Sequence, residues 1–256
     1  MRFKDQVVIV TGAGGGMGLA AARLFASEGA HVCVNDINAD TARKAVEAIE
    51  QAGGSAMCID GDVSNEAFVQ ETVGRVVKRF GKVDVLLSNA GVATIKPAEE
   101  YTDWDRMLRI NLSAHFHWAR AVAIQSMIPN RSGAIVNTAS IAGHMAYPGD
   151  VGYIAAKAGL IGLTKALAIE WARHNIRVNC VCPGLTEGPM LKEVERMDPA
   201  RFAVRRKRVP MGRAAMPEEI ADAMAYLASS GATYVTGVVL NVDGGQVAMS
   251  SGFSPA

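Results

Sequence analysis

Gln6-Val-Val-Ile-Val-Thr-Gly-Ala-Gly-Gly-Gly-Met-Gly-Leu-Ala-Ala-Ala-Arg-Leu-Phe-Ala-Ser-Glu28 reads as three consecutive pieces of local structure. Gln6 to Val10 is a short, β-branched and nearly continuous apolar run, the pattern of a parallel strand buried on both faces. Leu19 to Glu28 has the composition of a helix, and Thr11 to Gly18 is the turn between them. Each glycine has its own task in a strand, turn and helix of this kind. Gly12 permits the tight turn, Gly16 lets a pyrophosphate approach the backbone, and Gly18 lets the helix pack on the strand, whose uncapped amides then hold the anion. The next strand, His31 to Asn35, ends at Asp36, 20 residues beyond Gly16, where an acid reaches ribose hydroxyls. Taken alone, the glycines also suit a surface turn and Asp36 a helix cap. Strand, helix and acid in register favour the nucleotide site.

Outward from this stretch, strand-like and helix-like segments alternate without a linker, repeat or low-complexity tract. A helix near Ala39 to Gln51 precedes a strand at Ser55 to Asp60, and a helix capped by Ser64 runs to Phe80. Strands follow at Val83 to Ser88, Gly133 to Thr138, Arg177 to Cys182 and near Gly237 to Val242. Helices near Asp103 to Met127, Asp150 to His174 and Pro217 to Ala228 lie between them. Such alternation predicts right-handed crossovers and one α/β domain over residues 1–256, a doubly wound parallel sheet with helices on both faces. Ligands then bind beyond the carboxyl ends of the strands, where the glycine turn, Asn89, Ser140 and Pro183 all fall.

On that rim, Tyr153 and Lys157 stand four apart in a helix-compatible run, with Ser140 13 residues before Tyr153 at a strand end. Residues i and i+4 share a helix face, so the ammonium can sit near the phenol. Lowering a tyrosine pKa of about 10 by roughly 3 units takes about 4 kcal/mol, which one close cation and a second from an oxidised nicotinamide could supply. By themselves the residues have plainer readings: a chance Y-x-x-x-K, Ser140 as a strand-end cap, Asn111 as a helical polar residue. Tyr147 is no competitor as a base, because position 151 is a valine.

Together these motifs resemble the short-chain dehydrogenase/reductase family. Its T-G-x-x-x-G-x-G reads Thr11 to Gly18, its N-N-A-G reads Ser88-Asn-Ala-Gly91, and its serine, tyrosine and lysine match Ser140, Tyr153 and Lys157. Asn111, the pair Asp62-Val63, Pro183-Gly184 and Asn241-Val-Asp-Gly-Gly245 match as well, so the resemblance spans residues 7–245. It is closest in kind to the shorter members that act as 3-oxoacyl carrier-protein reductases and as sugar, steroid and cyclic alcohol dehydrogenases. It implies that Tyr153 exchanges a proton with the substrate oxygen, that Lys157 lowers the pKa of that phenol, and that Ser140 donates to the reacting oxygen. Asn111, by the same resemblance, distorts its helix to position a water. A nicotinamide dinucleotide would be held by Gly12, Gly15, Gly16, Met17 and Gly18 of the turn and by Asp36 and Ile37 after the second strand. Asp62, Val63, Asn89, Ala90, Gly91, Tyr153, Lys157, Pro183, Gly184 and Thr186 complete the cofactor-binding set that the resemblance implies.

The cofactor is expected to be NAD, since a 2′-phosphate roughly 4 Å from Asp36 costs about 1 to 4 kcal/mol and neither Gly15 nor Ile37 is basic to offset it. One position departs from the family's P-G-x-x-x-T-x-M: Gly188 stands where the threonine would, and Thr186 is the expected substitute. Residues 185–215 have the composition of a mobile lid. Within them Arg205-Arg-Lys-Arg208 is either a solvated helix face or a contact for an acidic substrate or carrier protein. Val92, Ile95, Met145, Tyr147, Met190 and Leu191 suggest an apolar pocket for a small secondary alcohol or ketone, with His144 a donor at its mouth. A 3-oxoacyl-thioester reductase and a non-catalytic NAD sensor stay open as alternatives. An epimerase of the longer related family would need a further substrate subdomain. The resemblance also implies a homotetramer, with Tyr234 to Leu240 compatible with burial in it.

Composition bounds the partners. With 26 Lys and Arg against 25 Asp and Glu, the net charge of +1 gives no global field to recruit nucleic acid or an anionic membrane. No apolar stretch is expected to reach the roughly 20 residues that cross a bilayer. Met1 to Gln6 leaves no room for a signal segment before the first strand, so the reading is cytoplasmic. The four cysteines read as small buried hydrophobes, because C-x-C at Cys180 and Cys182 matches no common zinc spacing. His115 and His117 fall on different helix faces, and no metal site is expected.

Overall fold

The computed structural model describes residues 1–249; residues 250–256 of the expected domain lie outside them. Its elements run β1 (Val7–Thr11), α1 (Gly16–Ser27), β2 (His31–Asp36), α2 (Ala39–Gln51), β3 (Ser55–Asp60), α3 (Glu66–Phe80) and β4 (Val85–Ser88). There follow α4 (Trp104–Leu108), α5 (Ala114–Val122), α6 (Ile128–Asn130), β5 (Gly133–Thr138), α7 (Val151–Ala172) and β6 (Ile176–Pro183). The chain closes with α8 (Pro189–Met197), α9 (Pro199–Lys207), α10 (Pro217–Ala228) and β7 (Val239–Val242). The strands form one seven-stranded sheet in the order β3-β2-β1-β4-β5-β6-β7, and every pair is parallel.

All five residues of β1 are buried because alternate side chains enter different cores. Val8 and Val10 join Phe25 of α1 and Met224 of α10 on one face, whereas Val7 and Ile9 join Trp118 and Val122 of α5 on the other. From β1 the strand order runs outwards in both directions, so a crevice opens above the β1 and β4 ends.

Several local expectations need correction. The cap of α3 is Asn65, whose side chain accepts from the Phe68 amide at 3.1 Å. Ser64 is instead spent on Asp62, which accepts from both its amide and its hydroxyl at 2.8 Å. The single helix expected from Asp103 to Met127 is broken by two π-turns, Arg109–Ser113 and Ala123–Met127. Each π-turn carries a buried polar side chain that grips a valine outside β4. Asn111 accepts from the Val92 amide at 3.1 Å and donates to the Val92 carbonyl at 3.0 Å, while also satisfying Met107 O at 3.1 Å. Ser126 Oγ accepts from the Val83 amide at 2.7 Å and donates to the Val83 carbonyl at 3.2 Å. Val83 is therefore unavailable to the ladder, and β4 begins at Val85 rather than at Val83.

α7 overturns the expectation that no apolar stretch is long enough to span a bilayer: its 22 residues have a mean hydropathy of 1.3 in their most apolar window. Here it is the crossover between β5 and β6, with Leu160, Ile161, Leu167 and Ala168 buried and Ile169 81% exposed. Residues 185–215 hold α8 and α9 over a small separate cluster of Leu185, Phe202, Val209 and Ala214. The ends of this segment are joined by a parallel bridge between Thr186 and Ala215.

Candidate active site

The five glycines of the turn divide into three that pack, Gly12, Gly14 and Gly18, and two that stay open. A Cβ on Gly12 would come within 2.9 Å of Ala90 Cα, and one on Gly18 within 2.2 Å of the Gly12 carbonyl oxygen. By contrast, Gly15 and Gly16 face nothing nearer than Pro189, at 3.8 and 3.7 Å. Gly15 precedes α1 without any side-chain cap, so the first amides of that helix are open to a ligand. Two residues of this turn escaped the sequence reading. Thr11 Oγ1 accepts from the amides of Asn89 and Ala90 at 2.9 and 3.1 Å, fastening the loop after β4 to the end of β1. The Gly14 amide donates to Asp36 at 2.9 Å, and that carboxylate also accepts from Asn38 N at 3.0 Å and Thr41 Oγ1 at 3.4 Å. The signal for Thr11 was a hydroxyl inside the glycine motif to which no task had been given.

Above the turn lies a cleft of about 580 Å³. Gly12, Gly15, Gly16, Met17, Asp36, Ile37, Asp62 and Val63 line one part of it. Asn89, Ala90, Gly91, Pro183, Gly184 and Thr186 line the rest with Ser140, Tyr153 and Lys157. Gly18 and Asn111 stand behind the wall, the first against Gly12 and the second against Val92. Of the proposed apolar pocket, Val92, Tyr147, Met190 and Leu191 line the cleft; Ile95 and Met145 do not. His144 is exposed and does not line the cleft.

Lys157 is 2% exposed and donates to Thr138 O at 2.7 Å, with Nζ 5.6 Å from the centre of the Tyr153 ring. Burial pushes its pKa down to about 8. Ser140 follows β5, accepts from the Ala142 amide at 3.1 Å and stands near Tyr153 in the same cleft. The expected lowering of the Tyr153 pKa is corrected here. Burial raises it, with Tyr147 and Asp150 adding to the rise, and the opposing influences are the nearby Ser140 hydroxyl and the Arg205 guanidinium. The ammonium is committed to a carbonyl, and desolvation of the phenol outweighs the nearby charges. Below the cleft His115 is buried, with Nε2 3.2 Å from Ala90 O; desolvation and the Lys157 charge hold its pKa down at about 3. His117 points elsewhere, 3.6 Å from Glu66, as its different helix face requires. Cys33, Cys180 and Cys182 are buried in the apolar cores and Cys58 is partly so.

Residues 185–215 contain the departure from the family pattern at Gly188. Gly188 has φ +151, a backbone conformation that disfavours a side chain, and it lies against Gly16. Thr186, the expected substitute, lines the cleft while donating to Gly184 O at 3.2 Å. Among the described residues no group of three or more His, Cys, Asp or Glu could hold a metal ion.

A family model described as enoyl-(acyl carrier protein) reductase matches residues 12–246. A 3-oxoacyl-(acyl-carrier-protein) reductase of Thermotoga maritima is 39% identical over 251 residues, covering 96% of this chain and all of that protein. A cis-4-hydroxycyclohexanecarboxylate dehydrogenase of Sinomonas cyclohexanicum is 39% identical over 250 residues, 96% of this chain and 98% of that one. Among solved structures, an NAD+-bound xylitol dehydrogenase superposes with a TM-score of 0.91 at 36% identity, covering 96% of this chain and 100% of that one.

Proposed function

The chain belongs to the short-chain dehydrogenase/reductase family, and from that premise we propose that it is an NAD-dependent oxidoreductase acting between a secondary alcohol and its ketone. The observation that carries this reading is the meeting of Ser140, Tyr153 and Lys157 in the cleft that the glycine turn opens. That turn suits a dinucleotide: two glycines leave room for a pyrophosphate beside uncapped amides, and a carboxylate fixed by three donors stands at the ribose end. The dinucleotide, when bound, accepts or supplies the hydride and in its oxidised form adds a positive charge beside the phenol.

Tyr153 is the acid and base. Its raised proton affinity keeps it protonated at neutral pH, ready to donate to a carbonyl oxygen; in the other direction it takes the hydroxyl proton. Ser140 orients the phenol and donates to the reacting oxygen as charge develops there. Lys157, fixed by Thr138 O, holds a nicotinamide ribose and counters charge on the phenolate. Asn111 positions rather than reacts: it opens the helix behind Lys157 and fixes the strand at Val92. Residues 185–215 close over the substrate, and Asp36 with exposed Ile37 selects NAD over NADP.

The names of the relatives support a hydroxyl or keto substrate, and that of the Sinomonas protein a cyclic one. The match to the Thermotoga protein supports the second reading, a 3-oxoacyl-thioester reductase. We further propose a cytoplasmic homotetramer, for which the exposed apolar side of α7 at Ile169 and the fully exposed Tyr234 offer surfaces to cover. The decisive experiment incubates the purified chain with NAD and a panel of secondary alcohols, sugars and 3-oxoacyl thioesters while following nicotinamide absorbance. Turnover that Tyr153→Phe abolishes supports the proposal. NAD binding without any turnover, or turnover undiminished in Tyr153→Phe, refutes it.

A further inference from the structure

Within the basic run Arg205-Arg-Lys-Arg208, Arg206, Lys207 and Arg208 are exposed, and Arg206 lies 3.8 Å from Glu187. Arg205 is different. It follows Phe202 by three residues on α9, so it shares the helix face on which that buried side chain packs with Leu185. That face turns it inward. Its guanidinium carbon sits 4.5 Å from the centre of the Tyr147 ring, and the side chain lines the same cleft as Tyr153. No carboxylate among the described residues lies within ion-pair distance of it. A guanidinium stacked on a ring through its face keeps its in-plane N–H donors for an anion, in a geometry that matches a planar carboxylate. Arg106 lines the same cleft from α4.

We propose that Arg205 is a specificity-determining residue that pairs with a carboxylate on the substrate, so that the preferred substrates are small hydroxy acids and their oxo acids. The inference rests on the oxidoreductase reading above and names the substrate class of that same site. In the closed cleft Tyr147 backs the guanidinium while Tyr153 and Ser140 hold the reacting oxygen, and the acid group then fixes which carbon faces the hydride.

The test compares hydroxycyclohexanecarboxylates and 3-hydroxybutyrate with their carboxamides, in wild type, Arg205→Met and Arg205→Lys. The readout is the acid-to-amide ratio of kcat/KM, from which any loosening of the lid or change in the Tyr153 phenol cancels. A charge-assisted pair of this kind predicts a wild-type ratio of about 10 to 100, carried mainly by KM. Arg205→Met should bring the ratio near one and Arg205→Lys should keep part of it. A second readout needs no turnover: with NAD present, cyclohexanecarboxylate should raise the Tm of wild type but not of Arg205→Met, and cyclohexanecarboxamide should raise neither. A wild-type ratio near one, or a ratio untouched in Arg205→Met while both rates fall, overturns the proposal and leaves Arg205 as a latch on Tyr147. Turnover of neutral alcohols without preference for acids sinks this inference alone. No turnover with any substrate sinks the oxidoreductase reading, and the Tm comparison then still decides whether Arg205 takes a carboxylate.

Discussion

Replacing Asp36 should convert cofactor preference, and the structure sets the size of the effect. The carboxylate is held by the Gly14 and Asn38 amides and by Thr41, so it cannot swing away from an incoming 2′-phosphate. At a separation of roughly 4 Å the repulsion lies between about 1 and 4 kcal/mol. Because Asp36 is half-buried at an open rim, the lower part of that range, about 1 to 2 kcal/mol, applies, or roughly 5- to 30-fold in affinity. Asp36→Ala removes that repulsion and also the hydrogen bonds that favour NAD, which are worth about 10- to 100-fold at such a charged acceptor. The NADP-to-NAD ratio of kcat/KM should therefore rise about 50-fold or more. Asp36→Asn keeps the shape and an acceptor oxygen but not the charge, so it should improve NADP with a smaller loss for NAD. Ile37 is 74% exposed, so adding Ile37→Arg places a guanidinium at the rim without repacking and should gain about another 10-fold for NADP. Steady-state kinetics with both cofactors measures this, and the Asp36→Asn gain should shrink as salt screens the rim. Equal efficiency of wild type with both cofactors, or a ratio that stays within two-fold in Asp36→Asn, refutes the reasoning.

Tyr153→Phe should lower kcat by about 100- to 10,000-fold and Ser140→Ala by about 100- to 1,000-fold, with NAD affinity by fluorescence titration nearly unchanged in both. Gly18→Ala sets a methyl 2.2 Å from the Gly12 carbonyl; it should cost about 1 to 3 kcal/mol in urea unfolding and weaken NAD binding by moving the first turn of α1. His115 titrates at about 3 in the folded chain against an ordinary value of 6.5, so between those values the unfolded chain binds the extra proton and stability falls as pH drops. Urea unfolding from pH 7 to about 4.5 should therefore cost wild type up to about 3 kcal/mol more than His115→Gln, and parallel losses would show that His115 is not held neutral.

The reach of the sequence had a physical limit. Regular features were legible because they repeat: the apolar run of β1, the strand and helix alternation and the glycine spacing all follow from periodicity and from backbone freedom. What the sequence concealed depends on partners far along the chain. Asn65 rather than Ser64 caps α3 because Asp62 captures the serine first. The two π-turns follow from Asn111 finding Val92 and Ser126 finding Val83, contacts that no local pattern announces. The Tyr153 phenol shows the same limit in electrostatics: spacing placed a lysine one turn away, but desolvation, which needs the whole fold, decides the sign of the shift. Arg205 was visible only as one member of a charge run, and its place on the α9 face of buried Phe202 separates it from its neighbours.

These hidden contacts are what make the visible motifs act together. β4 has four residues, yet it carries Asn89, Ala90 and Gly91 to the cleft and lies next to β1 with its glycine turn. A strand that short would let its following loop wander. Here it is held at one end by Ser126 on Val83, beyond the other by Asn111 on Val92, and between them by Thr11 on Asn89 and Ala90. The loop so fixed carries Gly91, where an added Cβ would meet Asn111 Oδ1 at 2.8 Å and lie 3.6 Å from Lys157 Nζ. The lysine is thus positioned from two sides, by Thr138 O at the end of β5 and by a loop whose register two helical insertions determine. Burying that ammonium is unfavourable, as its lowered pKa records, and it persists because contacts from β1, β4, β5 and α5 all specify the cavity that contains it. A rigid wall of this kind is what the proposed acid and base, Tyr153, needs if its proton is to meet a substrate oxygen that Ser140, in the proposed mechanism, holds from another element.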